Sequence, residues 1–459
     1  MDKTSFAFPS KRTARLLVGV TLAAALGLPG ALFAGVLFLT PLVQQPMLDA
    51  FVRERLGRDP ATWGGTQAVY ALALAAVALV LFNFGAIFGG IFSWLERRVA
   101  GRMQSRIGPN RVGAAGFLQW LADAVKLLFK EDLVPAEADS LIFRIAPYFV
   151  VTGFALTLVA LPFGESLIMA DLGVGIFYIT SVTALVVVGV LLSGWSSNSK
   201  WALFGGMRSA AQLVSYEIPA GLAIMTPVLM AGTLSMQGII RAQGGWPWEW
   251  FLFRNPAALV AFLILFTSQL AEGNRTPFDL PEAESELVAG YMTEYSGFRF
   301  ALFFLVEWGN LWVMGAIAVT LFLGGWQLPG AGASDWAAWR GAGVFPPGPW
   351  WAMQLVSMLW FACKTLTLVG VIMWIRWTLP RIRVDQMMNL CWKYLVPAAF
   401  ACFVFTLLWQ LLVGSVPAVD LVTGVVLFAA GVAVVALFAR QTRENIALVA
   451  GDKVDLSNW

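Results

Sequence analysis

The chain has 459 residues, of which 59% are apolar or aromatic and only 12% charged, with a net charge of +3. Soluble proteins carry about twice that charged fraction, so this chain cannot cover a water-facing surface, which excludes a cytosolic enzyme. Its apolar runs are continuous rather than alternating, which also excludes a transmembrane β-barrel and leaves an all-α polytopic membrane protein, whose helices satisfy their own backbone polar groups in hydrocarbon.

A helix needs about 20 apolar residues to cross a bilayer. Ten stretches qualify in chain order: 16–39, 67–94, 141–163, 174–195, 209–232, 256–272, 300–323, 350–375, 394–413 and 417–439. The sixth is short and reads as a span that begins earlier or is broken. The last two are separated by a few residues around Pro417, as in a tight hairpin. Basic residues set the orientation. With the N-terminus cytoplasmic, the inside segments carry 22 Lys/Arg and the outside segments 6, with only Arg144 and Lys364 left within spans. Both termini are then cytoplasmic. Residues 1–40 also fit a signal peptide, but the apolar run from Leu16 to Val43 is long for one. Cleavage would leave every later orientation unchanged.

The inside segments hold the unusual chemistry. ERRVAGRMQSRIGPNR (96–111) follows the second span and spaces Arg98, Arg102 and Arg106 helically; its plain role is anchoring. FLQWLADAVKLLFKE (117–131) puts Gln119, Asp123, Lys126 and Lys130 on one face and mostly apolar residues on the other. That pattern is an amphipathic helix lying on the membrane surface, able to seal the interface or to form the mouth of a lipid-side cavity. EGNRTPFDLPEAESELVAGYMTEYSGFR (272–299) is strongly acidic, and Pro281 suits the first turn of a helix, with Glu282 and Glu286 on one face and Glu284 on another. A solvated loop or a docking surface for a basic partner explains it equally well.

Within the spans stand Glu217, Glu307 and Lys364. Each costs on the order of 3 kcal/mol to insert, so each should face the bundle interior or a hydrated cavity. Burial favours the neutral carboxyl and a nearby cation restores its charge, so a chain of such groups can exchange protons. The plainer alternative is that Glu217, Glu307 and Lys364 form static buried pairs. The chain has no histidine, and Cys363, Cys391 and Cys402 show no CxxC spacing, so no metal or iron–sulfur site is read. The tryptophans near span ends, among them Trp94, Trp195, Trp201, Trp308, Trp350 and Trp351, read as an interfacial belt. The Gly/Pro/Ala-rich stretch 327–349 reads as an irregular outside loop.

WLERRVAGRMQSRIGPNRVG (94–113), LADAVKLLFKED (121–132), GWSSNSKWALFGGMRSAAQLVSYEIP (194–219), AEGNRTPFDLPEAESELVAGYMTEYSG (271–297) and LPRIRVDQMMNLCWKYLVP (379–397) closely resemble one family. It is the NuoH type of bacterial NADH–quinone oxidoreductase, the respiratory complex I component equivalent to mitochondrial NADH dehydrogenase subunit 1. The resemblance implies an eight-helix core over 67–413, preceded by an extension with an extra transmembrane helix (1–66) and followed by another extra helix and a cytoplasmic tail (414–459).

The resemblance further implies a membrane subunit, in the bacterial inner membrane, of a proton-translocating NADH–quinone oxidoreductase. It places Arg97, Arg106, Asp123, Lys126, Arg275 and Phe304 near the quinone passage, with Glu96 at its edge. It places Asp279, Glu282, Glu284, Glu286 and Glu294 on an acidic loop linking the chamber to the membrane, and Glu217, Glu272 and Glu307 on a carboxylate path into the bilayer. Quinone is the substrate implied, with no covalently bound cofactor. FMN and iron–sulfur clusters are expected only in partner subunits. Partners implied are hydrophilic-arm quinone-site subunits, antiporter-like membrane subunits and lipid, and no nucleic acid. Cys391 stands where the family usually has glycine, and Trp120 where proline is common. The alternative within reach is the equivalent subunit of a membrane-bound hydrogenase or other non-NADH dehydrogenase. A free-standing transporter would need internal repeats, and none is visible; a passive anchor leaves the intramembrane carboxylates unexplained.

Overall fold

The computed structural model describes residues 49, 53, 66–281, 283–330, 348–412 and 417–451. The first predicted span, 16–39, and most of the outside loop 327–349 lie outside the described residues, as does the N-terminal extension apart from Asp49 and Arg53. Every regular element among the described residues is helical. In chain order these are α1 (Thr66–Met103), α2 (Gln119–Phe129), α3 (Ser140–Thr157), α4 (Gly175–Ser196), α5 (Lys200–Ala231), α6 (Met236–Ala242), α7 (Phe251–Arg254), α8 (Pro256–Glu272), α9 (Glu284–Leu287), α10 (Gly297–Phe322), α11 (Gly348–Thr378), α12 (Val384–Asn389), α13 (Val396–Leu412) and α14 (Pro417–Gly451).

Among the described residues, seven helices are long and apolar enough to cross a membrane: α1, α3, α4, α5, α10, α11 and the continuous run Val384–Leu412. The last joins α12 to α13 through a π-helical turn at Leu390–Leu395. The protein is therefore a polytopic all-α membrane protein. Helix α8 has only 17 residues, and its shortness has a local cause. Asn255 is extended and caps α8 by accepting from the Ala257 N–H, while Pro256 takes the first helical position, where no N–H is needed. The segment before it forms the separate single turn α7. The tenth predicted segment is also helical but runs on to Gly451, well past residue 439, so part of the expected cytoplasmic tail is helix. It packs through Phe428 against Trp248 and Phe253.

Helix α10 is the most buried of the spans and forms the axis of the bundle, touching α1, α2, α3 and α11 on one side and α5, α6 and α8 on the other. Its Trp312 meets Phe84, Phe88 and Phe92 of α1 and Phe361 of α11 at ring centroid distances of 5.3–6.4 Å. Between lipid-embedded helices, where the hydrophobic effect contributes little, such contact area and close approach provide the cohesion. Close approach is seen at Gly205, where a Cβ would lie 2.6 Å from the Gly290 Cα, so α5 and the loop after α9 touch backbone to backbone.

Helix α5 carries Pro219, which has no N–H to bond the Ser215 carbonyl one turn back. The buried Cys391 thiol donates to that carbonyl at 3.1 Å. The thiol thus fills a bond that α5 lacks, two residues from Glu217.

Helix α1 is 38 residues long, or roughly 57 Å at about 1.5 Å per residue. Since that exceeds the hydrocarbon thickness, its C-terminal turns project past the apolar layer and carry Glu96, Arg97 and Arg98 toward α2. The first subsite of interest is built there.

Candidate functional site

Four charged side chains from four segments meet beside the projecting end of α1. Arg275 donates to Glu96 at 3.3 Å and lies 3.1 Å from the Glu307 carboxylate and 3.2 Å from the Glu307 carbonyl. Arg376 of α11 approaches the other oxygen of Glu96 at 2.7 Å. Trp308 covers the group, its ring 4.5 Å from the Arg275 guanidinium carbon and 5.8 Å from that of Arg376. Arg275 and Glu96 are sealed from the surface. Two cations and two anions are formally neutral, and desolvated charges persist only when paired this fully.

Trp308 also lines a cleft of about 320 Å³ between α1, α2 and α10. Arg97, Asp123, Lys126 and Phe304, all singled out from the sequence, line it together with Trp120 and Trp308. Arg97 donates to Asp123 at 2.6 Å, and Gln119 orients the same carboxylate at 3.0 Å. Phe304 stacks on Phe300 and lies tilted against Trp308, each 5.8 Å away, giving an aromatic wall. Helix α2 is amphipathic as expected, but Asp123 and Lys126 from its polar face and Ala124 and Leu127 from its apolar face all line the cleft. Arg106 is elsewhere: it stands on the exposed turn after α1, hydrogen-bonded to Gln104 at 2.7 Å. Glu96 and Arg275 are behind Trp308 rather than on the cleft wall.

Deeper in the bundle, Glu217 of α5 and Glu272 at the end of α8 line two adjoining cavities of about 50 and 410 Å³, with Gln269 on both. Glu307 does not join them; it is bound into the Arg275 cluster. Lys364 joins neither carboxylate. Its ammonium donates to the Leu323 carbonyl at 2.7 Å, capping α10, and lies between Trp250 and Trp360. Glu307 is thus a buried pair, with Arg275, as the plain reading has it, whereas Glu217 and Lys364 form no ion pair among the described residues.

The acidic loop is held by cations from distant segments. Asp279 meets Arg381 at 3.1 Å and Glu286 meets Arg208 at 2.6 Å. Glu294 is half-buried and has no ion pair among the described residues. Glu282 lies outside the described residues, as does the side chain of Glu284. The helix expected from Pro281 is only the single turn α9, starting at Glu284. Gln212, fully buried on α5, ties the loop to α8 by donating to the Ala271 and Phe278 carbonyls at 2.7 and 2.9 Å. Tyr295 anchors its far end: its hydroxyl donates to the Phe143 carbonyl at 3.1 Å, and burial pushes the phenol up to about 12.

Sequence reasoning missed Arg376, Trp308 and Gln269. Arg376 looked like one more anchoring cation at a span end. Trp308 looked interfacial, yet it is buried; its depth in α10, the same as that of Glu307, was the available signal. Gln269 offered only its polarity in an apolar run.

Residues 75–407 match the NADH dehydrogenase family. The chain is 68% identical over 415 residues to the H-type subunit of NADH-quinone oxidoreductase from Anaeromyxobacter dehalogenans, covering 90% of this chain and all of that one. It is 49% identical to the H-type subunit from Chlorobaculum tepidum, across 73% of this chain and 91% of the relative. With subunit 8 of the Rhodothermus marinus NADH-quinone oxidoreductase it shares 43% over 71% of this chain and 94% of the relative. The RIGPNRVG turn, the aromatic cleft and the buried Arg275 cluster thus sit in a chain that belongs to the NADH dehydrogenase family as a membrane subunit, of the NuoH type, of an NADH–quinone oxidoreductase.

Proposed function

We propose that this subunit forms the membrane side of the quinone chamber and begins the carboxylate path that links quinone reduction to proton translocation. The observation that carries the reading is the arrangement around Trp308, which lines a cleft with an aromatic wall and a polar mouth and also covers a buried four-charge cluster. Phe304 and the apolar face of α2 suit an isoprenoid quinone, while Arg97, Asp123 and Lys126 offer hydrogen bonds to a headgroup. Electrons come from partner subunits of the hydrophilic arm that hold flavin and iron–sulfur clusters, and antiporter-like membrane subunits take up the signal.

Reducing a quinone adds two electrons and two protons, so charge changes abruptly beside a water-poor cluster. Neighbouring carboxyls respond as a set rather than singly, because interacting sites titrate together. The Glu96–Arg275–Glu307 group stands between the cleft and the path, and Arg275 belongs to the segment that follows Glu272 directly. The acidic loop, with Asp279, Glu282, Glu284, Glu286 and Glu294, extends the path, and Glu217 and Glu272 carry it into the bilayer. The Arg/Lys-rich loop ends and both termini face the cytoplasm of a bacterial inner membrane in this reading. Residues 67–413 are the functional core, and the flanking segments 1–66 and 414–459 are additions that serve lipid contact or an accessory partner. The test is Glu217→Gln in the intact enzyme. Proton transfer or quinone reductase activity is lost while the complex still assembles; normal proton pumping in that variant overturns the reading.

A further inference from the structure

Gln269 is the buried polar group that the path described so far leaves without a task. It lies in the last turn of α8, 4% exposed, and its side-chain oxygen has no hydrogen-bond partner. A buried amide oxygen left without a donor is costly, so its retention points to a partner that comes and goes. Gln269 lines both the small and the large cavity, and Glu217 and Glu272 are the titratable side chains that line the same two. Glu272 follows Gln269 by three residues, which sets both on one face of α8, where side chains lie about 5–6 Å apart at the Cβ.

The other walls carry no competing charge. Helix α4 contributes Thr180, Ser181 and Thr183, whose hydroxyls already donate to main-chain carbonyls one turn back, so only their lone pairs remain. Helix α10 contributes the neutral Asn310 among apolar residues. Its nearest ionisable group, Glu307, is held by Arg275. The two carboxyls therefore share a chamber that contains no cation to balance them. Two bare carboxylates in such a place repel each other, and a pair sharing one proton is the stable state.

A carboxamide suits that state, since it offers an acceptor and two donors on one rigid plane. We infer that Gln269 is a positioning residue that holds Glu217 and Glu272 as a pair sharing one proton. Its carbonyl accepts from the protonated carboxyl of one, and its N–H donates to the carboxylate of the other. When the proton leaves the carboxyl oxygen of one acid and binds the carboxylate of the other, rotation of the amide exchanges the two roles, so the same side chain holds either arrangement with no net change in charge. This inference rests on the proposed carboxylate path and adds a residue to it that has no titration of its own.

The test uses the intact enzyme reconstituted in vesicles with Gln269→Met, which keeps the volume and removes both hydrogen-bonding functions. The pH midpoint of quinone-coupled proton transfer shifts by about one unit, and the carbonyl-stretch band of a protonated carboxyl moves in the redox-induced infrared difference spectrum. A purely packing role predicts neither change, and a Gln269→Met enzyme with the parent pH profile and infrared band overturns the inference. If that variant does not assemble, Gln269→Glu takes its place. It has nearly the same shape but cannot donate while ionised, and an unaltered pH profile there is equally fatal. Glu217→Gln run in parallel separates the two levels. If Glu217→Gln pumps normally, the path itself fails; if it does not pump while Gln269→Met behaves as the parent, only the inference about the amide falls.

Discussion

Arg275 and Glu96 are 179 positions apart in the chain, yet they meet at 3.3 Å with side chains 1% and 3% exposed. The contact joins the loop after α8 to the projecting end of α1, and Glu307 and Arg376 complete it from α10 and α11. One guanidinium therefore ties three segments at a point where no water compensates for its loss.

Removing Arg275 should be far more damaging than its single charge suggests. Arg275→Ala leaves Glu307 buried without its cation, and breaking a pair in this way costs about 3–5 kcal/mol. Arg275→Lys keeps the charge but not the planar fork that reaches two acids at once. The Ala variant should be missing from the assembled complex, and the Lys variant should assemble with reduced quinone reductase activity. Blue-native gels and melting of the purified complex read both; an Ala variant that melts like the parent contradicts the account.

Trp308 separates cleft from cluster, so its removal should act on both. Trp308→Ala opens the Arg275 group to the cleft, and Trp308→Phe keeps a ring but weakens a cation–π contact of about 1–2 kcal/mol. The expected order is a several-fold rise in the KM for quinone in the Phe variant, with a further fall in kcat in the Ala variant. Steady-state kinetics with a short-chain quinone decide it, and an unchanged KM in both variants is the contrary result.

Gly205 tests the backbone contact between α5 and the acidic loop. A side chain there meets the Gly290 backbone at 2.6 Å, and backbone does not swing aside as a side-chain tip does. Gly205→Val should destabilise the subunit by about 1–3 kcal/mol and lower its yield in membranes. Gly221, which has open space around the same added atom, serves as the matched control for Ala or Val replacement.

Tyr295 supplies the pH dependence. Its phenol is pushed up from an ordinary 10 to about 12, by burial first, against smaller pulls from a Ser196 hydrogen bond and from Arg299. The unfolded phenol ionises at the lower pH, so the folded state loses stability as pH rises from 10 to about 12 and is unaffected below. The loss approaches roughly 2–3 kcal/mol at the top of that window. Tyr295→Phe gives up the bond to the Phe143 carbonyl, worth about 1 kcal/mol at neutral pH, and flattens the alkaline slope. Thermal melts of parent and variant between pH 8 and 11.5 compare the slopes; parallel curves would count against this assignment.

What the amino-acid order settled by itself was whatever is local or additive. Hydropathy summed over about 20 residues marks a span wherever it falls, so nine of the ten predicted stretches are helical and the first lies outside the described residues. The FLQWLADAVKLLFKE and EGNRTPFDLPEAESELV strings marked the cleft and the loop, because chemistry at those places depends on residue type close in the chain. The three-dimensional packing alone decided which charges meet. Glu307 pairs with Arg275 while Lys364 takes the Leu323 carbonyl, Arg376 leaves the anchoring belt for Glu96, and Trp308 turns inward over both arginines. Such pairings have no periodicity to betray them: in a low-dielectric bundle each buried charge takes whichever opposite charge the helix crossings bring within about 3 Å, and those crossings are set by contacts hundreds of residues apart.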